Sequence, residues 1–202
     1  MTSQQILNSV KQTIHQQFSG EGTGHDYFHI ERVVSVAGQI AEKENADIFL
    51  VGLAAWLHDV GDYKLHNGID RSEEMITGIL KALDVPEQTI NKVIEIVSQV
   101  SFSKGKMADS LEAKIVQDAD RLDALGAVGL ARVFAYGGSR QREIYNPVSP
   151  AETSIQHFYD KLLKLKDRMN TTSGKAMAAE RHIFLENFLQ QFYKEWNVKS
   201  KF

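Results

Sequence analysis

Three short stretches of the chain carry histidine and aspartate side chains of the kind that bind metal ions. His29 lies in the first, His58 and Asp59 are adjacent in the second, and Asp120 and Asp123 lie one helical turn apart in the third. The stretches are residues 24–33, 53–63 and 116–126. Imidazole and carboxylate groups together suit a borderline or hard divalent ion, such as manganese, iron, nickel, zinc or magnesium. Since the chain has no cysteine, thiolate metal sites, disulfides and cysteine nucleophiles are excluded.

The His58-Asp59 pair follows the apolar run 49–57, which is typical of a buried helix. A carboxylate at the edge of a core is costly unless it is paired, hydrogen-bonded or bound to a metal. The same two residues would also occur where a histidine caps a helix C-terminus beside a surface aspartate. The pair is therefore compatible with either role.

Asp120 and Asp123 lie on one helix if residues 109–134 are helical, and Asp120 then shares a face with small or apolar residues. Two like charges at this spacing destabilise a helix unless a cation neutralises them, and either Arg121 or a metal ion would do so. The small residues nearby, which allow a close approach of neighbouring backbone or ligand, are Ala119, Ala124, Gly126, Ala127 and Gly129. His29 lies at the edge of an apolar face beside Val33, so it can point inward between helices. Inward imidazoles and carboxylates on facing helices are how helical bundles build metal sites.

The elements that must position these groups are predicted to be helices throughout. The chain has only three prolines, no alternating polar and apolar runs, and many segments with a 3.6-residue repeat. We predict helices at residues 3–18, 27–44, 47–59, 70–83, 87–101, 109–134, 150–169 and 173–196. Asp26 is a predicted N-cap, residues 84–86 a break, and residues 136–150 the longest loop, either an anion-contacting segment or a solvated connector. One domain over residues 1–202 is the simpler organisation.

The composition limits the class of protein. The 202 residues include 26 acidic and 23 basic ones, for a formal charge of −3, so a nucleic-acid polymer is not an expected partner. No uncharged apolar run approaches the roughly 20 residues of a membrane helix. The N-terminus lacks the basic start and apolar stretch of a secretion signal. We therefore predict a cytoplasmic protein with no membrane partner.

The order His29, His58-Asp59, Asp120 resembles the HD superfamily of metal-dependent phosphohydrolases, which is named for that doublet. Its first histidine typically precedes an Arg-Val pair by three residues, and its last aspartate precedes a basic residue and leucine, as here. The longer strings are also similar to a bacterial subgroup of small, stand-alone HD proteins, some of which are nucleotide pyrophosphohydrolases. These strings are residues 25–29, 58–62 and 117–124. The resemblance covers a motif core at about residues 24–135, and a C-terminal helical extension covers about 150–198.

The resemblance implies an all-α HD domain in which His29, His58, Asp59 and Asp120 bind one divalent ion. Manganese is the favoured ion, with nickel, magnesium, iron and zinc as alternatives. Many HD phosphodiesterases have extra histidines for a second metal. His66 is available here, but the helix ending at 98–101 offers none, so a one-metal site is favoured over a two-metal site.

The resemblance also indicates roles for residues around the ion. Asp62 matches an acidic catalytic position and is the candidate for proton transfer during attack of metal-activated water on phosphorus. Cationic or polar contacts to the substrate phosphates are assigned to Arg32, Lys64 and His25. As hydrogen-bond acceptors that support the site without coordinating the ion, we assign Asp118 and Asp123.

The expected function is a phosphohydrolase acting on small nucleotides, with cleavage of (deoxy)nucleoside triphosphates to monophosphate and pyrophosphate favoured. A phosphomonoesterase or cyclic-nucleotide phosphodiesterase would use the same ligands. A metal-holding nucleotide sensor without catalysis is an alternative of a different class, and a purely structural helical protein is another.

Overall fold

The protein is described by a computed structural model over residues 1–19, 26–63, 66–100 and 108–197. These ranges contain helices joined by turns and loops, and no strand. Seven α-helices of these ranges lie before residue 140: α1 Ser3–Phe18, α2 Tyr27–Glu44, α3 Ile48–Leu57, α4 Ser72–Lys81, α5 Glu87–Val100, α6 Leu111–Asp123 and α7 Gly126–Ser139. The predicted all-α class is confirmed.

Side-chain caps fix the starts of the first three helices. Thr2 and Gln5 form a reciprocal capping box at α1. The Asp26 carboxylate accepts a hydrogen bond from the His29 backbone N–H at 2.7 Å, which confirms the predicted N-cap of α2. Asp47 caps α3 in the same way through Leu50. The predicted break before α5 is also present.

The predicted helix 109–134 is wrong, because the structure divides it into α6 and α7. Leu125 is extended, and Gly126 has a φ of +71°, a conformation that glycine adopts without the strain a Cβ would cause. A Cβ on Gly129 would lie 2.2 Å from the carbonyl oxygen of Ala124, so the two helix ends pack backbone to backbone. Ala127, one of the small residues expected near Asp120 on the same helix, therefore belongs to a different helix from Asp120.

The predicted helix 150–169 is also wrong as a single element. It consists of short pieces in sequence: a 3₁₀ turn Pro150–Glu152, α8 Ser154–His157, a π-helical turn Phe158–Leu162, α9 Leu163–Leu165 and a 3₁₀ turn Lys166–Arg168. The long helix α10, Thr172–Trp196, follows. The predicted loop 136–150 begins later than expected, since α7 continues to Ser139.

The chain groups into two compact units. The first comprises Met1–Asp120 and Asn170–Ser173, and its interior is built around α3, which packs against α1, α2 and α5. The second comprises Arg121–Met169 and Gly174–Phe202. In the second unit the Phe158 ring lies 6.0 Å from that of Phe134 and 5.7 Å from that of Phe188. The single domain over 1–202 stays a prediction.

Within the ranges given above, no helix is both long enough and apolar enough to traverse a lipid bilayer.

Candidate metal centre

Three side chains from separate helices meet inside the first unit. His29 lies in the first turn of α2, His58 caps the C-terminus of α3, and Asp120 lies in α6. One ligand atom from each lies within 4.8 Å of the others. Both histidines are buried, and Asp120 is partly exposed. The group therefore combines two buried imidazoles with a partly exposed carboxylate.

The Asp59 carboxylate joins this group. Its Oδ2 lies 3.5 Å from Nε2 of His29 and 3.4 Å from Nε2 of His58. Nε2 of His29 lies 3.6 Å from Oδ1 of Asp120. These separations exceed an ordinary hydrogen bond of about 2.7 to 3.2 Å. They match ligand atoms that share one ion, which lie about 3 to 3.5 Å apart because metal–ligand bonds are about 2.0 to 2.2 Å long.

The His58 ring shows which of its nitrogens is available to a metal. Nδ1 lies 2.8 Å from the carbonyl oxygen of Ala55. A carbonyl oxygen only accepts, so Nδ1 carries the proton and Nε2 keeps its lone pair. Nε2 is buried and has no hydrogen-bond partner within the described part of the chain. Because buried polar atoms rarely go unpartnered, this nitrogen and its carboxylate neighbour fit a divalent ion.

The turn after α3 depends on Gly61. A Cβ at this position would lie 2.2 Å from the backbone nitrogen of Ser72 and 2.4 Å from the carbonyl carbon of Arg71. The Gly61 carbonyl accepts a hydrogen bond from Arg71 N at 2.9 Å, and His66 Nε2 donates to the Val60 carbonyl at 3.1 Å. The residues that follow the His-Asp pair are thus held against the start of α4. Sequence analysis did not assign Gly61 a role.

Replacing Gly61 by alanine should lower the free energy of unfolding by about 1 to 3 kcal/mol, because the new methyl group meets backbone that cannot rotate away. Gly78→Ala is the matched control, since nothing lies within 4 Å of a Cβ on this α4 residue. That variant should be neutral or more stable by up to about 1 kcal/mol. Urea denaturation measures both. Equal stability of the two variants would contradict the close packing at Gly61.

Asp118 lies two residues before Asp120 and is fully buried, with 0% exposure. Its carboxylate accepts hydrogen bonds from the backbone N–H and side-chain amide of Asn170, and from the backbone N–H and hydroxyl of Thr171. These distances run from 2.8 to 2.9 Å. Sequence analysis missed Asn170 and Thr171, which lie about fifty residues away in no recognisable motif.

Asp123, in the second unit, is paired with Arg132, whose Nη1 lies 2.6 Å from Oδ2 of the carboxylate. Nη1 of Arg121, the nearby cation that the sequence offers, donates to the carbonyl of Arg168. The break between α6 and α7 turns Arg132 back toward Asp123. A continuous helix gives no reason to expect this pair.

The sequence assigns catalytic or substrate-binding roles to four further residues, and the structure describes two of them. Asp62 is buried, and its backbone N–H donates to the Asp59 carbonyl at 3.2 Å, so it lies one turn beyond that carboxylate. Arg32 is partly exposed on α2, three residues after His29. His25 and Lys64 lie outside the described residues.

Comparison with known proteins identifies relatives over nearly the whole chain. The HD domain family model matches residues 26–125. The chain is 41% identical over 179 residues to the YpgQ protein of Bacillus subtilis, covering 87% of this chain and 86% of that one.

Solved structures give the same result. The crystal structure of Bacillus subtilis YpgQ in complex with ADP has a TM-score of 0.80 at 37% identity, covering 93% of this chain and 98% of that chain. That of an HD-superfamily hydrolase from Bacillus thuringiensis has a TM-score of 0.84 at 40% identity, covering 98% of this chain and 100% of that chain.

Proposed function

The chain belongs to the HD domain family, and from that premise we propose that it is a divalent-metal-dependent phosphohydrolase of small nucleotides. The observation that carries the proposal is the meeting of His29, His58, Asp59 and Asp120, with Nε2 of His58 buried and without a hydrogen-bond partner among the described residues. Two imidazoles and two carboxylates without sulfur suit manganese, which we favour over nickel, magnesium, iron and zinc.

The four side chains would hold one ion, and two of them are anionic. When bound, the ion polarises a phosphoryl oxygen and lowers the pKa of water at the site. The buried position of both histidines keeps the donor nitrogens away from competing water. We propose a single metal rather than two, because within the described residues the one group of potential ligands is that of His29, His58 and Asp120.

We propose that the favoured reaction cleaves a (deoxy)nucleoside triphosphate between its α and β phosphates. Water forms a bond to the α phosphorus, the bond from that phosphorus to the bridging oxygen breaks, and pyrophosphate leaves. Asp62 takes up the proton that the attacking water loses, a role worth about 10² to 10⁴ in rate. Arg32, Lys64 and His25 neutralise or orient the phosphates. Asp118 supports the site through the hydrogen bonds described above, and Asp123 keeps the supporting role assigned to it from the sequence.

The ADP complex of YpgQ supports a nucleotide as the substrate class. ADP carries the base, the ribose and the α and β phosphates that a nucleoside triphosphate also carries. The overall charge of −3 makes bulk attraction to a nucleic-acid polymer a poor explanation for phosphate binding.

Product analysis in ¹⁸O-labelled water tests the proposal. The protein is incubated with ribo- and deoxyribonucleoside triphosphates and Mn²⁺, Ni²⁺ or Mg²⁺, and the products are resolved by ³¹P NMR and mass spectrometry. We expect equal amounts of monophosphate and pyrophosphate, with ¹⁸O in the monophosphate. Orthophosphate from monophosphates, or opening of cyclic nucleotides, would replace this reaction by one of the alternatives. No turnover with any nucleotide or ion would leave the non-catalytic sensor and the purely structural helical protein.

A further inference from the structure

A segment remote in sequence bridges the two helices that carry His29 and Asp120. Residues 170–173, here named the clasp, belong to the same compact unit as the metal centre. At one end of the clasp, Asn170 and Thr171 present four donor groups to the buried carboxylate of Asp118 in α6. Asn170 also donates through Nδ2 to Oε1 of Gln117, which precedes Asp118. This end of the clasp is therefore fixed to α6.

The other end of the clasp binds α2. The backbone N–H of Ser173 donates to Oε1 of Glu44 at 2.8 Å, and Glu44 is the last residue of α2. The backbone hydrogen bond from Ser173, together with one from its side chain, holds the pKa of Glu44 below its usual range. The lowered pKa means that the carboxylate is the form that accepts these bonds.

The two contacts connect two helices that each supply a ligand to the metal centre. His29 comes from α2 and Asp120 from α6, and Asp118 is only two residues from Asp120. A fully buried carboxylate with four donors has a fixed position, because moving it would leave a desolvated charge without partners. Any rotation of α6 that displaces Asp120 must therefore break the contact with Thr171.

We propose that the clasp is a positioning element that sets the separation of His29 and Asp120, with Thr171 as its principal residue, and so determines the affinity for the divalent ion. The inference rests on the metal centre of the proposed function and not on the reaction. Groups that hold ligands in place typically contribute about 10- to 100-fold to metal affinity. Thr171 acts through Asp118, so we expect the lower end of that range.

The test compares Thr171→Val, which removes the hydroxyl and keeps the shape and the backbone N–H, with Thr171→Ser, which restores the hydroxyl. Thr77→Val is the matched control, since Thr77 lies in α4 and outside the clasp. Mn²⁺ binding is measured by electron paramagnetic resonance of the free ion, without nucleotide. Thr171→Val should bind Mn²⁺ about tenfold more weakly. The other two variants should stay within about twofold of the unmodified protein, well inside that effect.

A purely structural role for the clasp predicts a different result. Thr171→Val would then unfold at lower urea concentration and still bind Mn²⁺ with unchanged affinity, and that result overturns the proposal. If Thr171→Val does not fold, Glu44→Ala at the other end of the clasp decides, with Glu42→Ala as control. Weaker Mn²⁺ binding by Glu44→Ala alone supports the clasp, and equal binding by both overturns it. If the unmodified protein binds Mn²⁺ but hydrolyses no nucleotide, the proposed function is overturned. The Mn²⁺ affinities of the variants then still test the clasp.

Discussion

Replacing His58 by alanine should abolish binding of the divalent ion and reduce nucleotide turnover to background. The variant removes the nitrogen that is buried without a hydrogen-bond partner in the described residues, and leaves Asp59 and His29 to face a cavity. Even groups that only orient metal ligands contribute about 10- to 100-fold to affinity, so loss of a ligand should cost more. Metal content per chain after dialysis against Mn²⁺ measures the first effect, and the release of products measures the second.

His15→Ala is the control for this experiment. His15 is an exposed residue of α1 whose ring contacts Tyr27, and it is absent from the group of candidate ligands. This variant should keep one ion per chain and full turnover. Retention of the ion by His58→Ala would remove the residue from the metal site.

Replacing Asp62 by asparagine should lower kcat by about 10² to 10⁴ while the metal content stays the same. The amide has nearly the same shape as the carboxylate but cannot take up a proton at neutral pH. The backbone N–H of Asp62 donates to the Asp59 carbonyl, and asparagine keeps this bond. The substitution should therefore leave the backbone of the turn in place. The measurement is steady-state turnover of the best nucleotide together with metal analysis of the same sample.

Asp70→Asn serves as the matched control for Asp62→Asn. The Oδ1 atom of exposed Asp70 accepts a hydrogen bond from Ser72 N at 3.0 Å, an interaction that the amide oxygen can keep. Its turnover should be unchanged. If Asp62→Asn retains full kcat, proton transfer belongs to another group. If it loses the ion instead, Asp62 acts in metal binding.

Much of the first unit follows from local sequence signals. The bounds of α1 and α2 agree with the predicted 3–18 and 27–44, because each helix has a side-chain cap and a clear apolar face. The His58-Asp59 pair ends an apolar helix as predicted, and its burial follows from that helix lying in the interior. Where capping and periodicity agree, sequence is a sufficient guide.

The errors arise where tertiary contacts override local preference. Residues around Ala124 and Gly126 have an apolar, small-residue pattern that predicts a continuous helix, whereas the break is made by the positive φ of Gly126 and the backbone contact at Gly129. The segment 150–169 has helical periodicity but mixes three helical geometries. No local pattern specifies either of these features.

The sequence predicts the four side chains that the structure brings together, and not the residues that hold them in place. Adjacent or regularly spaced histidines and aspartates, together with the family resemblance, indicated His29, His58, Asp59 and Asp120. The partner of Asp118 lies in the clasp, which the chain brings back after about fifty residues. A single sequence carries no signal for such a contact, since Asn170 and Thr171 are ordinary loop residues.

The most direct test of the account is a crystal grown with Mn²⁺ and measured at a wavelength where manganese scatters anomalously. The account predicts one anomalous peak, about 2.0 to 2.3 Å from Nε2 of His29, Nε2 of His58 and a carboxylate oxygen each of Asp59 and Asp120. An ion bound elsewhere, or four side chains turned away from one another with no peak between them, would contradict it.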